Sequence, residues 1–122
     1  DLQFKFLNLA SEYTHTDVVT LNVFVDDLAI KDKVYKLPYS RKSIVLSNLY
    51  YRVKDVRTQE VVIPFKTTNN GTKLSSDSDG MYFEFRTEGL PVDRSYVFEL
   101  LVKDYGLNQV YENVSANFRI NS

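Results

Sequence analysis

The stretch that decides the fold is RSYVFELLVK, residues 94–103. Its largest apolar side chains recur at every second position, as Tyr96, Phe98, Leu100 and Val102. Successive side chains of a β-strand point to opposite faces, so this repeat predicts a strand with one buried face. A slip of one residue would expose all four side chains, and the pairing register of the strand is therefore strongly specified.

The same alternation recurs along the chain and predicts an all-β protein. No stretch shows the i, i+3, i+4, i+7 pattern of an amphipathic helix. The predicted strands are 2–8, 17–26, 44–55, 60–66, 81–87, 95–104 and 110–120, and residues 33–37 are compatible with a short extra strand. Pro64 cannot donate a ladder hydrogen bond, so the fourth strand is predicted at a sheet edge. The predicted core contains Leu21, Val23, Val53, Phe83, Phe85, Phe98, Leu100, Ala116 and Phe118.

The chain of 122 residues has the usual length of one domain. Seven short strands with one apolar face each must bury that face against a second sheet. We therefore expect a single domain over residues 1–122, with two antiparallel sheets packed as a sandwich. An odd number of strands would place the two chain ends at opposite ends of such a sandwich.

The segment LPVDRSY, residues 90–96, carries a family resemblance. A Tyr at the start of the sixth strand, six residues after a Leu, resembles the tyrosine corner of immunoglobulin-like and fibronectin type III-like domains. The resemblance implies a seven-stranded antiparallel Ig-like sandwich with Greek-key connections. It also implies that the Tyr96 hydroxyl bonds to backbone within residues 88–94 and that Leu90 packs beneath its ring.

A second resemblance concerns biological context. The runs YYRVKD (50–55) and EVVIPF (60–65), in a Tyr- and Asn-rich chain without Cys, look like Ig-like modules of tailed-phage virion proteins. Bacterial surface proteins carry comparable modules. The resemblance implies a virion or cell-surface location. We interpret the chain, which begins with Asp1, as a module excised from a longer protein.

Composition excludes several classes of function. Fifteen basic and 16 acidic residues give a net charge of −1, so no strong global field recruits nucleic acid or anionic lipid. The absence of Cys excludes disulfides, zinc ribbons and thiol catalysis. No apolar run approaches the ~20 residues that span a bilayer. We expect no cofactor, no specific nucleic acid partner and no membrane insertion.

Catalytic and metal-binding motifs are weak. The single His, His15, stands in an apparent loop and has no nucleophile or second ligand near it in sequence. The segment from Asp77 to Gly80 resembles part of a calcium loop, but alignment on its glycine puts Arg86 at the position of the bidentate glutamate. We interpret it as an Asp-rich turn and keep an irregular calcium site as the alternative. We expect no enzyme activity.

The strongest candidate partner surface is the basic, Tyr-containing segment 31–42. Counting strand directions places loops 27–43, 67–80 and 105–109 at one end of the sandwich and loops 9–16, 56–59 and 88–94 at the other. The basic segment would then lie beside an acidic turn. The candidate surface comprises Lys33, Tyr35, Lys36, Tyr39, Arg41, Lys42, Asp77 and Asp79; a polyanion contact through the basic segment is the alternative.

Two functions remain open from the sequence. The first is a non-catalytic module that spaces or docks neighbouring domains of the same chain, or other virion or surface proteins, through its loop ends. The second is an accessory module that binds carbohydrate or another polymer through exposed Tyr side chains such as Tyr39, Tyr105 or Tyr111. A flat row of exposed aromatic rings would favour the second function.

Overall fold

A computed structural model of the protein describes residues 2–27, 43–104, 106 and 108–122. These residues form ten β-strands and no helix. The strands are β1 (Leu2–Phe6), β2 (Glu12–Thr14), β3 (Val18–Asp27), β4 (Leu49–Asp55), β5 (Val61–Ile63), β6 (Ser75–Asp77), β7 (Gly80–Arg86), β8 (Arg94–Val102), β9 (Gln109–Tyr111) and β10 (Phe118–Asn121).

The strands pair into two sheets that pack face to face. The first sheet has the order β1-β3-β7-β6 and is antiparallel throughout. The second has the order β2-β10-β8-β4-β5, with β9 pairing on β8 beyond the end of β10. The prediction of an all-β protein with two packed sheets is confirmed. One pair, β2 with β10, is parallel, so the expectation of purely antiparallel strands is wrong.

The core is built from aromatic rings that meet between the sheets. The ring centroids of Phe83 in the first sheet and Tyr51 in the second are 4.1 Å apart. Phe98 lies 5.0 Å from Phe85 and 5.3 Å from Phe6. Stacked and edge-to-face pairs at these distances add to the free energy gained by burying the rings. The alternation of residues 94–103 thus has the predicted outcome, with its apolar face inside.

One predicted core residue is wrong. Ala116 is exposed, whereas the other eight residues of the predicted core are buried. The last predicted strand, 110–120, is interrupted between β9 and β10, and residues 112–117 leave the ladder. Ser115 lies in this interruption and its hydroxyl accepts a hydrogen bond from the backbone N–H of Phe98 at 2.9 Å. A side chain therefore replaces the ladder partner, and the period of two no longer predicts which residues are inside.

The strand count of seven is also wrong, for two physical reasons. The final strand is split into β9 and β10 by the interruption. In addition, β2 and β6 have three residues each, which is too short for a periodic pattern. All three residues of β6 are exposed, and β2 buries only Tyr13. By contrast, β5 is an edge strand as the proline predicted, and Pro64 follows its last residue.

Strand directions define two ends of the sandwich. At the amino end Leu2 pairs with Asp27, and at the carboxyl end Thr14 pairs with Asn121. The first and last described strands therefore reach opposite ends, as expected. The turn between β6 and β7 lies at the amino end, and the turns 56–60 and 87–93 lie at the carboxyl end.

Candidate functional site

The tyrosine at the start of β8 anchors the carboxyl end. The Tyr96 side chain is completely buried, and its hydroxyl donates to the carbonyl oxygen of Pro91 at 2.5 Å. Its partner is in the predicted segment. Burial and the nearby Asp55 carboxylate raise the pKa of Tyr96 above 10.0, so the hydroxyl remains a donor at neutral pH. Leu90 is buried in the same core cluster.

Most of the predicted partner surface lies outside the described residues. This applies to Lys33, Tyr35, Lys36, Tyr39, Arg41 and Lys42, and equally to the compatible strand at 33–37. Asp77 and Asp79 are exposed in the turn at the amino end. The backbone N–H of Asp79 donates to the Asp77 carboxylate at 2.8 Å, which is the Asx geometry of an Asp-rich turn.

Residue 43 places the end of the basic loop beside this acidic turn. Gly80 has a φ of +130°, and a Cβ built there would come within 2.9 Å of the Ser43 Cβ. The position therefore requires glycine both for its backbone conformation and for the close approach. Because Ser43 is the last residue of the loop 27–43, the described end of that loop shares the amino end with Asp77 and Asp79, as the predicted strand directions required.

The described residues supply no cluster for a metal ion. They contain no group of three or more His, Cys, Asp or Glu side chains arranged around one point. His15 is exposed, and its backbone N–H donates to the Asn121 carbonyl at 3.0 Å. This backbone bond extends the pairing of β2 with β10 by one residue at the carboxyl end of the second sheet.

The described aromatic side chains pack against the rest of the protein and do not form an exposed binding surface. Among the described residues every Tyr and Phe is buried or half-buried. Tyr111, one of the three named for sugar stacking, lies edge-on to Phe4 with ring centroids 4.9 Å apart. Tyr39 and Tyr105 lie outside the described residues. The described surface therefore has no flat row of exposed rings.

A charged cluster covers the outer face of the second sheet. The Glu99 carboxylate is 3% exposed and accepts from the Arg52 guanidinium at 2.6 Å and from the Lys54 ammonium at 2.9 Å. Burial alone would raise the pKa of Glu99, but the hydrogen bonds from Lys54 and Arg52 outweigh it, and the pKa falls below 4.5. The hydrogen bond to Glu99 likewise raises the pKa of Lys54. Arg52 also stands 4.9 Å above the ring of Phe65.

A second charged cluster forms a cleft of about 550 Å³ at the carboxyl end. Three arginines line it from three segments: Arg57 from the turn after β4, Arg94 from the start of β8 and Arg119 from β10. Asp55 organises the floor, because its Oδ1 accepts from the backbone N–H groups of Arg57 and Thr58 at 2.8 and 3.0 Å.

The electrostatics of Asp55 follow from these bonds. The backbone N–H of Thr58 is the largest influence lowering its pKa below 3.8; burial opposes it, and the N–H of Arg57 and the Arg94 guanidinium at 3.3 Å lower the pKa further. Sequence reasoning missed this cleft. Only the Asp-x-Arg-Thr turn at 55–58 signalled an Asx turn; the meeting of three distant arginines has no local signal.

Comparisons with protein-family models, with curated proteins and with solved structures gave no match to this chain. No helix in the described part of the chain has the length and apolar character to cross a bilayer.

Proposed function

We propose that the chain is a non-catalytic structural and interaction module, which spaces or docks neighbouring domains through the loops at its two ends. The observation that carries the proposal is the placement of the two described chain ends. Leu2 lies at the amino end of the sandwich and Asn121 at the carboxyl end. A domain entered at one end and left at the other adds its full length to a serial chain.

We infer that the two sheets follow the immunoglobulin-like arrangement with Greek-key connections. In that family strands A, B, E and D form one sheet and C, F and G the other, which variable-type domains extend with C′. The order β1-β3-β7-β6 matches A-B-E-D, and the order β10-β8-β4-β5 matches G-F-C-C′. The bond from the Tyr96 hydroxyl to the Pro91 carbonyl, at the start of the strand that would correspond to F, supports the same inference, because the family's tyrosine corner has a bond of this kind there.

The proposed location is a virion or a cell surface, in a phage structural protein or a bacterial surface protein. The support is the sequence resemblance of residues 50–55 and 60–65 together with the Cys-free, Tyr-rich composition. A sandwich without disulfides would not lose a covalent link when the redox conditions around the assembly change. Its partners in this proposal are adjacent domains or other proteins of the same assembly.

The spacing role is tested in the reading frame that encodes the chain. Small-angle X-ray scattering compares the chain together with its encoded neighbours against a version that joins the neighbours directly. β3 has ten residues, and at ~3.3 Å per residue it spans about 30 Å, so removal of the module should shorten the particle by at least about that length. A reading frame that encodes no neighbouring domain, or an unchanged length, would overturn the spacing role.

The docking role is tested by charge reversal at the predicted partner surface. Arg41→Glu with Lys42→Glu should weaken attachment to the parent assembly, because the predicted partner surface is mainly basic in sequence. Lys5→Glu with Lys66→Glu is the matched control, since it changes the net charge equally at two exposed residues elsewhere. Attachment that survives the first pair as well as the second contradicts the assignment of this surface.

A further inference from the structure

The cleft at the carboxyl end has more hydrogen-bond donors than its own acceptors use. Its side chains include three guanidinium groups, of Arg57, Arg94 and Arg119, and two carboxylates, of Asp55 and Asp93. Each guanidinium offers five N–H donors in a planar fork. The cleft therefore has one net positive charge and a large surplus of donors.

The two carboxylates do not neutralise this surplus. Asp55 accepts two backbone N–H groups with one oxygen and meets Arg94 with the other at 3.3 Å. Asp93 approaches Arg119 only to 3.8 Å, and these two side chains are 62% and 43% exposed. For the Arg57 guanidinium, the described residues supply no hydrogen-bond or ion-pair partner. The Arg119 Nε donates to the Asn121 Oδ1 at 2.9 Å. The donors left without a close acceptor among the described residues therefore belong chiefly to the Arg57 guanidinium and to the two Nη groups of Arg119.

We propose that this cleft binds an acidic segment of a partner protein, with Asp or Glu side chains of the segment seated on the guanidinium groups of Arg57 and Arg119. A guanidinium fork matches the geometry of a carboxylate and binds it through two parallel hydrogen bonds. The proposal rests on the docking role proposed above, but it adds a second surface at the opposite end from Asp77 and Asp79.

Three features favour a protein segment over a dense polyanion. Exposed Asp93 lies among the arginines and would repel a chain that carries a negative charge on every unit. The protein as a whole has a net charge of −1, so it has no long-range field for such a chain. In addition, Val92 lines the cleft and is 37% exposed, which offers an apolar contact to an aliphatic neighbour of the bound carboxylate.

Fluorescence anisotropy tests the proposal with a short labelled peptide of alternating Glu and Leu residues. The salt concentration is kept at about 50 mM, because screening weakens exposed ion pairs. The protein should bind this peptide about tenfold more tightly than the same peptide with Gln in place of Glu. Arg57→Gln and Arg119→Gln should each weaken binding about fivefold or more.

Arg86→Gln is the matched control. It removes one positive charge from an exposed arginine that pairs with Glu84 at 2.8 Å and does not line the cleft, and it should change binding less than about twofold. Because the Arg57 side chain has no described partner, Arg57→Gln should also leave the urea midpoint unchanged. This readout separates loss of a binding group from loss of fold.

Three results overturn the proposal: no binding of the Glu peptide, equal loss with Arg57→Gln and Arg86→Gln, or tighter Arg57-dependent binding of a heparin fragment than of the peptide. The last result would assign the cleft to polyanions. The scattering experiment and the Arg41/Lys42 variant do not involve this cleft, so a failure of the peptide test leaves the proposed spacing and docking role standing. A failure of that role would appear in those two experiments, so the two failures are distinguishable.

Discussion

Phe98 and Glu99 are neighbours on β8, and both side chains are almost completely buried on opposite faces of the second sheet. Phe98 enters an aromatic core whose stability comes from the removal of apolar surface from water. Glu99 is enclosed by Arg52 and Lys54, and the ion pairs must repay the cost of desolvating its charge. Two equally buried side chains are therefore stabilised by different interactions. The change in the free energy of unfolding on mutating each residue distinguishes them.

The largest effect is expected on the aromatic face. Phe98→Ala should lower the free energy of unfolding by about 3–5 kcal/mol, through lost burial and the cavity left among Phe6, Phe85 and Phe118. Urea denaturation measures this difference. Thr20→Ala, at an exposed position of β3, should stay within about 0.5 kcal/mol. A loss below about 1 kcal/mol for Phe98→Ala would show that the inner face is assigned wrongly.

The charged face should respond less strongly. Glu99→Gln leaves Arg52 and Lys54 without their counter-charge and should cost about 2–3 kcal/mol, less than for a fully buried pair because both cations reach water. The matched control is Glu84→Gln, whose pair with Arg86 has side chains 56% and 63% exposed and should contribute at most about 0–1 kcal/mol. Equal losses in the two variants would remove the distinction between the buried and the exposed cluster.

The pH dependence of stability should also reveal the contribution of the buried carboxylates, which the aromatic face lacks. The folded-state pKa values of Glu99 and Asp55 lie below their ordinary values of 4.5 and 3.8. A carboxyl group with a lowered pKa stabilises the fold fully above its ordinary pKa, and this contribution is lost as the pH falls through the lowered value. Urea midpoints should therefore be constant near neutral pH and fall below about pH 4.5, more steeply for the wild type than for Glu99→Gln. Parallel curves for the two proteins would contradict the role of Glu99.

Tyr96 combines a buried aromatic ring with a hydroxyl group that bonds to the backbone. Tyr96→Phe keeps the ring but leaves the Pro91 carbonyl without the hydroxyl donor, which should cost about 1–3 kcal/mol. Tyr82→Phe is the control, since that side chain is half-buried on the outer face of the first sheet. We expect it to change stability by less than about 0.5 kcal/mol. Equal urea midpoints for the two variants would contradict a stabilising role for the Tyr96 hydroxyl.

The smallest effect is expected where the alternation fails. Ala116→Glu should stay within about 0.5 kcal/mol of the wild type, because residue 116 is exposed in the interruption between β9 and β10. If β10 instead began at residue 114, the new carboxylate would enter the core and the protein would unfold. Thermal denaturation followed by circular dichroism distinguishes the two outcomes.

Local pattern was sufficient for the long strands and insufficient for the short ones. β3, β4, β7 and β8 have seven to ten residues each, and their alternation places Leu21, Val53, Phe83 and Phe98 inside. β2 and β6 form because they pair with β10 and β7. These pairings depend on the tertiary structure and leave no pattern in the short strands themselves. The same holds for the Ser115 hydroxyl, which replaces a backbone partner of Phe98.

Some parts of the candidate site could likewise be predicted from a short stretch of sequence, and others could not. The family resemblance of residues 90–96 implied a bond from the Tyr96 hydroxyl to nearby backbone, and the Pro91 carbonyl accepts that bond. Gly80 beside Asp79 likewise predicted the turn at the amino end, since such a turn needs a residue that tolerates positive φ. Residue pattern alone was thus enough for the all-β class and for the inner face of the long strands, because both depend on an alternation of period two that is visible within one stretch of sequence.

Only the tertiary structure decided which charges meet. Arg57, Arg94 and Arg119 are separated by 37 and 25 positions in sequence, yet they line one cleft. Glu99 finds Arg52 across the β4–β8 ladder because the register pairs these two residues directly. Such encounters depend on sheet order and register, and these are set by the shared burial of two apolar faces rather than by any single stretch of sequence.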